Sequence, residues 1–232
     1  DLGYGDVKAF GKDKCNIDTP HFDRLCAEGM KFTNAHVTDS VCVPSRTSIM
    51  TGRYAFRFGK AEQGGPWGFS GLRFPTTQHT LGRMFQSGGY TTGYVGKWHL
   101  GTRMTTRDGK IQQSENTDFT KPILIGPSDY GFDDCFFLPG SLDMFPYAFI
   151  RGKQWQGKVT AQKDWSAFHR VGPAAEDFLD TEVLPTFCDE AGKFIKARSG
   201  KDKPFFLFVA LTAPHTPTSP EPAFEGPSRI GI

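Results

Sequence analysis

Apolar residues fall at helical and strand spacings by turns, and the segments they mark follow one another as helix, strand and loop, repeated. Thr19-Pro20 opens a helix in which Phe22, Leu25 and Cys26 share one face and Gly29 supplies the stop. Met30 to Val37 is expected as a strand, although Phe32 and Ala35 break strict alternation. Val41 to Thr51 reads as a turn entering a helix. Thr80 to Ser87 reads as a short helix with Leu81, Met84 and Phe85 inward, ended by Gly88-Gly89. Tyr90 to Val95 follows as a strand and Gly96 to Gly101 as a loop; the chain is then irregular to about Trp155. Glu176 to Arg198 is a long amphipathic helix that Pro185 and Gly192 are expected to kink or break. Ser199 to Lys203 turns the chain into Phe205–Leu211, a continuous apolar strand of the kind buried on both faces, and Thr212 to Pro222 is a proline-rich loop. This order predicts an α/β fold with a mainly parallel central sheet flanked by helices. In such folds chemistry gathers in loops beyond the carboxyl ends of strands, here at Asp1, at Lys97 and His99, and at His215.

Composition narrows the function classes. Lys and Arg number 27 against 25 Asp and Glu, so there is no charge excess to hold nucleic acid or an anionic membrane surface. The 22 Phe supply apolar bulk for a core, yet no apolar run approaches the roughly 20 residues of a membrane span. The five cysteines, Cys15, Cys26, Cys42, Cys135 and Cys188, include no C-x-x-C, which argues against structural zinc. Cys26 and Cys188 sit at helical core spacing; Cys15 and Cys135 are expected in loops, and spacing leaves open whether they pair.

Cys42 and Arg46 are the sharpest candidate chemistry. Four residues apart at a helix start, they face the same way beside free N–H groups, a setting for an anion. A thiolate phosphatase loop would need its Arg six residues after the Cys, where this chain has Ser48. The wider stretch Cys42-Val43-Pro44-Ser45-Arg46-Thr47-Ser48-Ile49-Met50-Thr51-Gly52-Arg53-Tyr54 closely resembles the signature of the type I sulfatases, within the alkaline phosphatase superfamily. Gly96-Lys97-Trp98-His99-Leu100-Gly101, Ala213-Pro214-His215-Thr216-Pro217 and the opening Asp1-Leu2-Gly3-Tyr4-Gly5-Asp6 resemble further motifs of that family, in the family's order.

The resemblance implies the following chemistry. Cys42 is oxidised to Cα-formylglycine by a maturation enzyme that reads Pro44 and Arg46 in the unfolded chain. One hydroxyl of the hydrated aldehyde attacks the sulfur of a sulfate ester, and loss of the other hydroxyl's proton expels sulfate. Arg46 holds the hydrate, Lys97 contacts sulfate and nucleophile, His99 serves as base, and His215 protonates or neutralises the leaving oxygen. Ser141, in Gly140-Ser141-Leu142-Asp143, matches a sulfate-contacting polar residue less firmly, and a turn-capping role serves it equally well. Asp1 and the modified Cys42 match ligands of a divalent cation, usually Ca²⁺, with Mg²⁺ as the other candidate.

The family's second acidic–amide metal pair, in a D-N-G loop, has no counterpart in this sequence. Residues 1–232 are therefore expected to be the N-terminal part of a single sulfatase catalytic domain, incomplete at both ends and inactive alone. The implied substrate is a sulfated carbohydrate or aryl sulfate; the alternatives are a phosphonate or phosphodiester hydrolase of the same superfamily and a non-catalytic binding protein. Trp67, Trp155, Trp165 and His169 are candidates for a sugar or aryl subsite, with core packing an equal alternative, and the polar loop Thr102–Lys121 is expected at the surface. The family's usual locations are periplasmic, secreted or lysosomal.

Overall fold

The computed structural model describes residues 2–164 and 170–224. Helices α1 (Lys8–Gly11), α2 (Pro20–Glu28), α3 (Cys42–Thr51), α4 (Leu81–Ser87) and α5 (Val183–Arg198) accompany strands β1 (Thr91–Lys97), β2 (Asp134–Leu138), β3 (Ile150–Arg151), β4 (Gln154–Trp155), β5 (Val159–Lys163), β6 (Gly172–Ala175) and β7 (Phe205–Ala210). A five-stranded sheet has the order β4-β3-β2-β1-β7, and β5 and β6 form a separate antiparallel pair. β1 runs parallel to both β2 and β7, whereas β2–β3 and β3–β4 are antiparallel. The sheet is thus mixed, parallel across β2-β1-β7 as expected and antiparallel across β4-β3-β2.

Strand alternation sorts the core into two layers. Tyr94 and Phe137 point to one face with Trp98, Tyr130 and Phe132; Val95, Phe136 and Leu138 point to the other, against Tyr147, Val183 and Phe187. On the second face α5 buries Val183, Phe187, Ala191 and Phe194, a helical stripe. The helix begins at Val183 and not Glu176, and it is unbroken. Pro185 is its third residue, where no intrahelical donor is needed, and Gly192 lies where an added Cβ would meet nothing. On α4, Thr80 caps the Arg83 N–H, Phe85 stacks on Phe206 at 3.9 Å, and Met84 turns outward.

Several expectations need correction. No strand forms over Met30–Val37; Met30, Phe32 and Val37 are exposed, and a strand needs an edge to pair with, which no described strand gives it. α2 buries none of its residues, so Phe22, Leu25 and Cys26 are not core, and Cys188 is exposed. Cys135 lies on β2 rather than in a loop; it and Cys15 are buried as free thiols. β7 is the outermost strand of the described sheet. It is half-buried, with Val209 exposed, and is not covered on both faces. The Thr102–Lys121 loop folds partly inward on Gln112. The Gln112 side chain accepts from the Met104 N–H at 2.7 Å and donates to the carbonyls of Phe69 (2.9 Å) and Thr102 (2.8 Å). Trp155 packs edge-on against Phe119, in the core role.

Asp133 ties the entry of β1 to that of β2. It accepts from the Thr92 N–H (3.0 Å), the Thr92 hydroxyl (3.1 Å) and the Gln86 amide (2.6 Å). Burial works against its ionised form, but these hydrogen bonds and Lys203 hold the carboxyl below the usual range. Asp133→Ala should cost about 1 kcal/mol in urea titrations, because the site is solvent-accessible and screened. A depressed folded-state value adds stability above the ordinary aspartate range and loses it as the pH falls through that value. The gap between wild type and variant should therefore narrow in acid.

Candidate active site

The centre is built where β1 ends. Pairing with β2 runs on past the strand, with the Trp98 N–H donating to the Leu138 carbonyl (2.9 Å) and the His99 N–H to that of Pro139 (3.1 Å). Trp98 is fully buried, edge-on to Tyr94, and its indole N–H donates to the Gly101 carbonyl. His99 takes a left-handed conformation, φ +51°, one that His tolerates better than most residues. Trp98 thus anchors a short turn whose neighbours, Lys97 and His99, serve the site. Gly96 is required beneath it: a Cβ there would lie 2.0 Å from the Ala210 carbonyl oxygen of β7.

α3 supplies the other wall. Val41 is extended and Cys42 is the first helical residue, so Pro44 falls in the first turn, where its missing N–H is harmless. Thr47, Ser48 and Met50 face inward, and Gly52 closes the helix at φ +66°, its N–H on the Ser48 carbonyl. This placement puts Cys42 Sγ 3.4 Å from His99 Nδ1.

Arg46 is committed to protein partners that the sequence could not show. Nε donates to the Trp98 carbonyl at 2.9 Å, and Nη2 donates to the Tyr94 hydroxyl (2.8 Å) and to the Lys97 carbonyl. The Tyr94 hydroxyl donates to the same Lys97 carbonyl. The guanidinium therefore clamps α3 to the turn that carries Lys97 and His99. Arg46→Lys keeps the charge but not the fork, and should lose about 2 kcal/mol of stability by chemical denaturation.

Lys97 is 3% exposed. Burial pushes its pKa down; Cys42 and Asp143 oppose that shift, while Arg46 adds to it. His99 is also buried. Burial first, then Lys97, Arg46 and His215, lower its pKa to about 3, so its imidazole is neutral near pH 7. His215 stands in the loop after β7. Its N–H donates to the Thr212 carbonyl, its Nδ1 lies 2.6 Å from the Thr216 carbonyl, and the same nitrogen is 3.8 Å from Asp143 Oδ1.

Cys42, Arg46 and Lys97 line a cavity of about 480 Å³ together with Asp39, Thr212 and Pro214. On the other side of the Cys42–His99 contact, His99 lines a smaller cavity of about 220 Å³ with Val43, Trp67 and Met144. The structure thus gathers Cys42, Arg46, Lys97, His99 and His215. Ser141 lies in the loop after β2, buried; its hydroxyl has no hydrogen-bond partner among the described residues, and it does not line the Cys42 cavity. Asp1, Trp165 and His169 fall outside the described residues. Asp143, two residues after Ser141, went unread in the sequence, although an acid within that loop was a signal to follow.

Among the described residues no three or more His, Cys, Asp or Glu side chains gather as a cation cage. The groups around Cys42 are mostly cationic or imidazole, so these residues do not by themselves fit the implied Ca²⁺. No helix among the described residues is long and apolar enough to cross a membrane.

A family model described as sulfatase matches residues 1–230. The chain is 30% identical to an N-acetylgalactosamine-6-O-sulfatase of Bacteroides thetaiotaomicron, over 100% of this chain and 50% of that protein. It is 29% identical to N-acetylgalactosamine-6-sulfatase of Sus scrofa, over 100% of this chain and 41% of the relative. A solved structure from glycosaminoglycan metabolism in Bacteroides thetaiotaomicron superposes with a TM-score of 0.79 at 28% identity, covering 97% of this chain and 52% of that one. A Pseudoalteromonas sulfatase structure shares the fold, with a TM-score of 0.68 at 21% identity, over 100% of this chain and 46% of that one. The chain spans half or less of the length of the relatives named here.

Proposed function

The chain belongs to the sulfatase family, and from that premise we propose that residues 1–232 form the N-terminal part of one catalytic domain that hydrolyses sulfate esters at Cys42. The observation that carries this reading is the 3.4 Å contact of Cys42 Sγ with His99 Nδ1, at the edge of a cavity that Lys97 and Arg46 also line. A partly exposed side chain at the first turn of α3, next to a neutral imidazole and two cations, suits an oxygen nucleophile attacking an anionic ester.

Matured to Cα-formylglycine, Cys42 would supply paired hydroxyls, one to attack sulfur and one to let sulfate go. His99, its Nδ1 3.4 Å from Cys42 Sγ, is the side chain placed to hydrogen-bond the hydroxyls at that position and to take the proton released there. Lys97, on the wall of the Cys42 cavity, is the group to meet the sulfate oxygens. Arg46 holds the Lys97–Trp98 main chain in place while adding its charge to the cavity. His215 is the group to protonate the departing alcohol oxygen. Ser141 stays a candidate contact to sulfate.

The substrate we propose is a sulfated carbohydrate, because the relatives named above act on 6-sulfated N-acetylgalactosamine by name. A formylglycine-generating enzyme is the implied partner, and a periplasmic, secreted or lysosomal location is part of the same proposal. The test has two arms. Mass spectrometry of the Cys42 peptide from native material should show the aldehyde or its hydrate. The matured full-length protein should release sulfate from N-acetylgalactosamine 6-sulfate in preference to hydrolysing an aryl phosphonate. An intact thiol throughout, or cleavage of phosphonate alone, would overturn the reading.

A further inference from the structure

Asp143 is a charged side chain that the mechanism above leaves unused. It is 3% exposed, on the loop that follows β2, where solvent cannot stabilise a carboxylate. Arg170 compensates it, its Nη1 donating to Asp143 Oδ2 at 2.8 Å and to the Asp143 carbonyl at 3.0 Å. The Arg170 guanidinium also lies over the Trp67 ring, 3.7 Å from its centroid, which fixes its position from the far side. The second carboxylate oxygen, Oδ1, is buried and makes no hydrogen bond among the described residues, and it faces His215 Nδ1 at 3.8 Å.

We propose that Asp143 is the positioning residue for His215, holding the imidazole by its Nδ1 edge so that Nε2 is presented to the leaving oxygen of the sulfate ester. The Thr216 carbonyl, 2.6 Å from Nδ1, can only accept and so assigns the proton there, with the Asp143 Oδ1 carboxylate oxygen facing the same nitrogen at 3.8 Å. Nε2 is then the atom left to carry and deliver a proton. Asp143 Oδ2 is already taken by Arg170 Nη1 at 2.8 Å, so the part left to the side chain is to hold the ring in place. Besides Arg170, Lys97 and Tyr147 face Asp143 and His99 faces His215.

The inference rests on the proposed sulfatase activity, and the experiment separates the two. In the matured full-length protein, kcat is compared for phenyl sulfate, whose leaving oxygen needs a proton, and 4-nitrophenyl sulfate, whose leaving oxygen scarcely does. Asp143→Asn should lower kcat about 100-fold on the first and only a few-fold on the second. In a His215→Ala background it should add nothing, because the two residues act as a unit. Equal losses on both substrates, or losses that multiply with His215→Ala, would assign Asp143 a purely structural role and overturn the inference. Should Asp143→Asn fail to fold, Arg170→Gln leaves the carboxylate in place but unanchored. It should show the same leaving-group dependence in smaller measure, and uniform losses there would be equally fatal. A wild-type protein that releases sulfate from neither aryl ester nor N-acetylgalactosamine 6-sulfate removes the activity and this inference together, whereas an active wild type with a leaving-group-blind variant removes the inference alone.

Discussion

Replacing Cys42 by Ala or Ser in the matured full-length protein lowers sulfate-ester turnover by at least ~10³-fold and leaves folding intact. The two halves of that expectation come from one geometry. Cys42 sits at the first turn of α3, only partly buried, and among the described residues its side chain has one hydrogen-bonding contact, the 3.4 Å approach to His99. Removing the sulfur creates no core cavity, so the thermal midpoint should stay within about 2–3 °C. The serine variant separates the steps. Its single hydroxyl can attack sulfur but cannot collapse to an aldehyde, so it should release about one equivalent of alcohol in a burst and then stop, whereas alanine should release none. Rapid-quench assays read this directly. Sustained turnover by either variant would remove Cys42 from the mechanism.

Lys97→Met is expected to lower kcat/KM by ~10²–10³-fold while leaving stability unchanged or raised. The ammonium is 3% exposed, on the last residue of β1, and burial disfavours its charge. Methionine fills a similar volume with no ion to desolvate. The pH dependence has a definite sign. The folded-state pKa lies below the ordinary lysine value, so in the window between them the unfolded chain binds more protons and wild-type stability rises with pH. The variant lacks that rise, so its advantage in urea titrations should be largest near pH 7 and shrink toward pH 10. A variant that keeps full activity, or unfolds outright, would show that Lys97 serves packing instead of the substrate anion.

The grouping of Cys42, Arg46, Lys97, His99 and His215 was legible in the sequence because each lies in a short motif whose local geometry carries it, whereas Ser141 lies off the Cys42 cavity and Asp1 outside the described residues. Gly96 admits the close approach to β7, Trp98 buries itself between Lys97 and His99, and Gly52 closes the helix that begins at Cys42. Partnerships between distant segments were illegible. Arg46 was read as an anion ligand, and nothing in its spacing announced the carbonyls of Lys97 and Trp98 as acceptors. Asp143 depends on Arg170 and His215, 27 and 72 positions further along the chain. Among the elements, β2 was hidden in a Phe-rich stretch that has no period of its own and becomes a strand by pairing with β1. Met30–Val37 shows the converse, a β-like composition with no edge to receive it.

The indole of Trp98 has an evolutionary corollary. With that ring in the core and Arg46 bolted to its carbonyl, the turn bearing Lys97 and His99 has almost no freedom to drift without unfolding the protein. Adaptation to a new ester must come from cavity walls that hang on fewer bonds, such as Val37–Val41, exposed throughout, and Leu211–Pro214 beside His215. Mutational tolerance across this surface should therefore be sharply divided. Substitutions at Trp98, Tyr94 or Arg46 would fail in any selection, whereas the two loop walls would yield variants that differ in what they accept and not in whether they work.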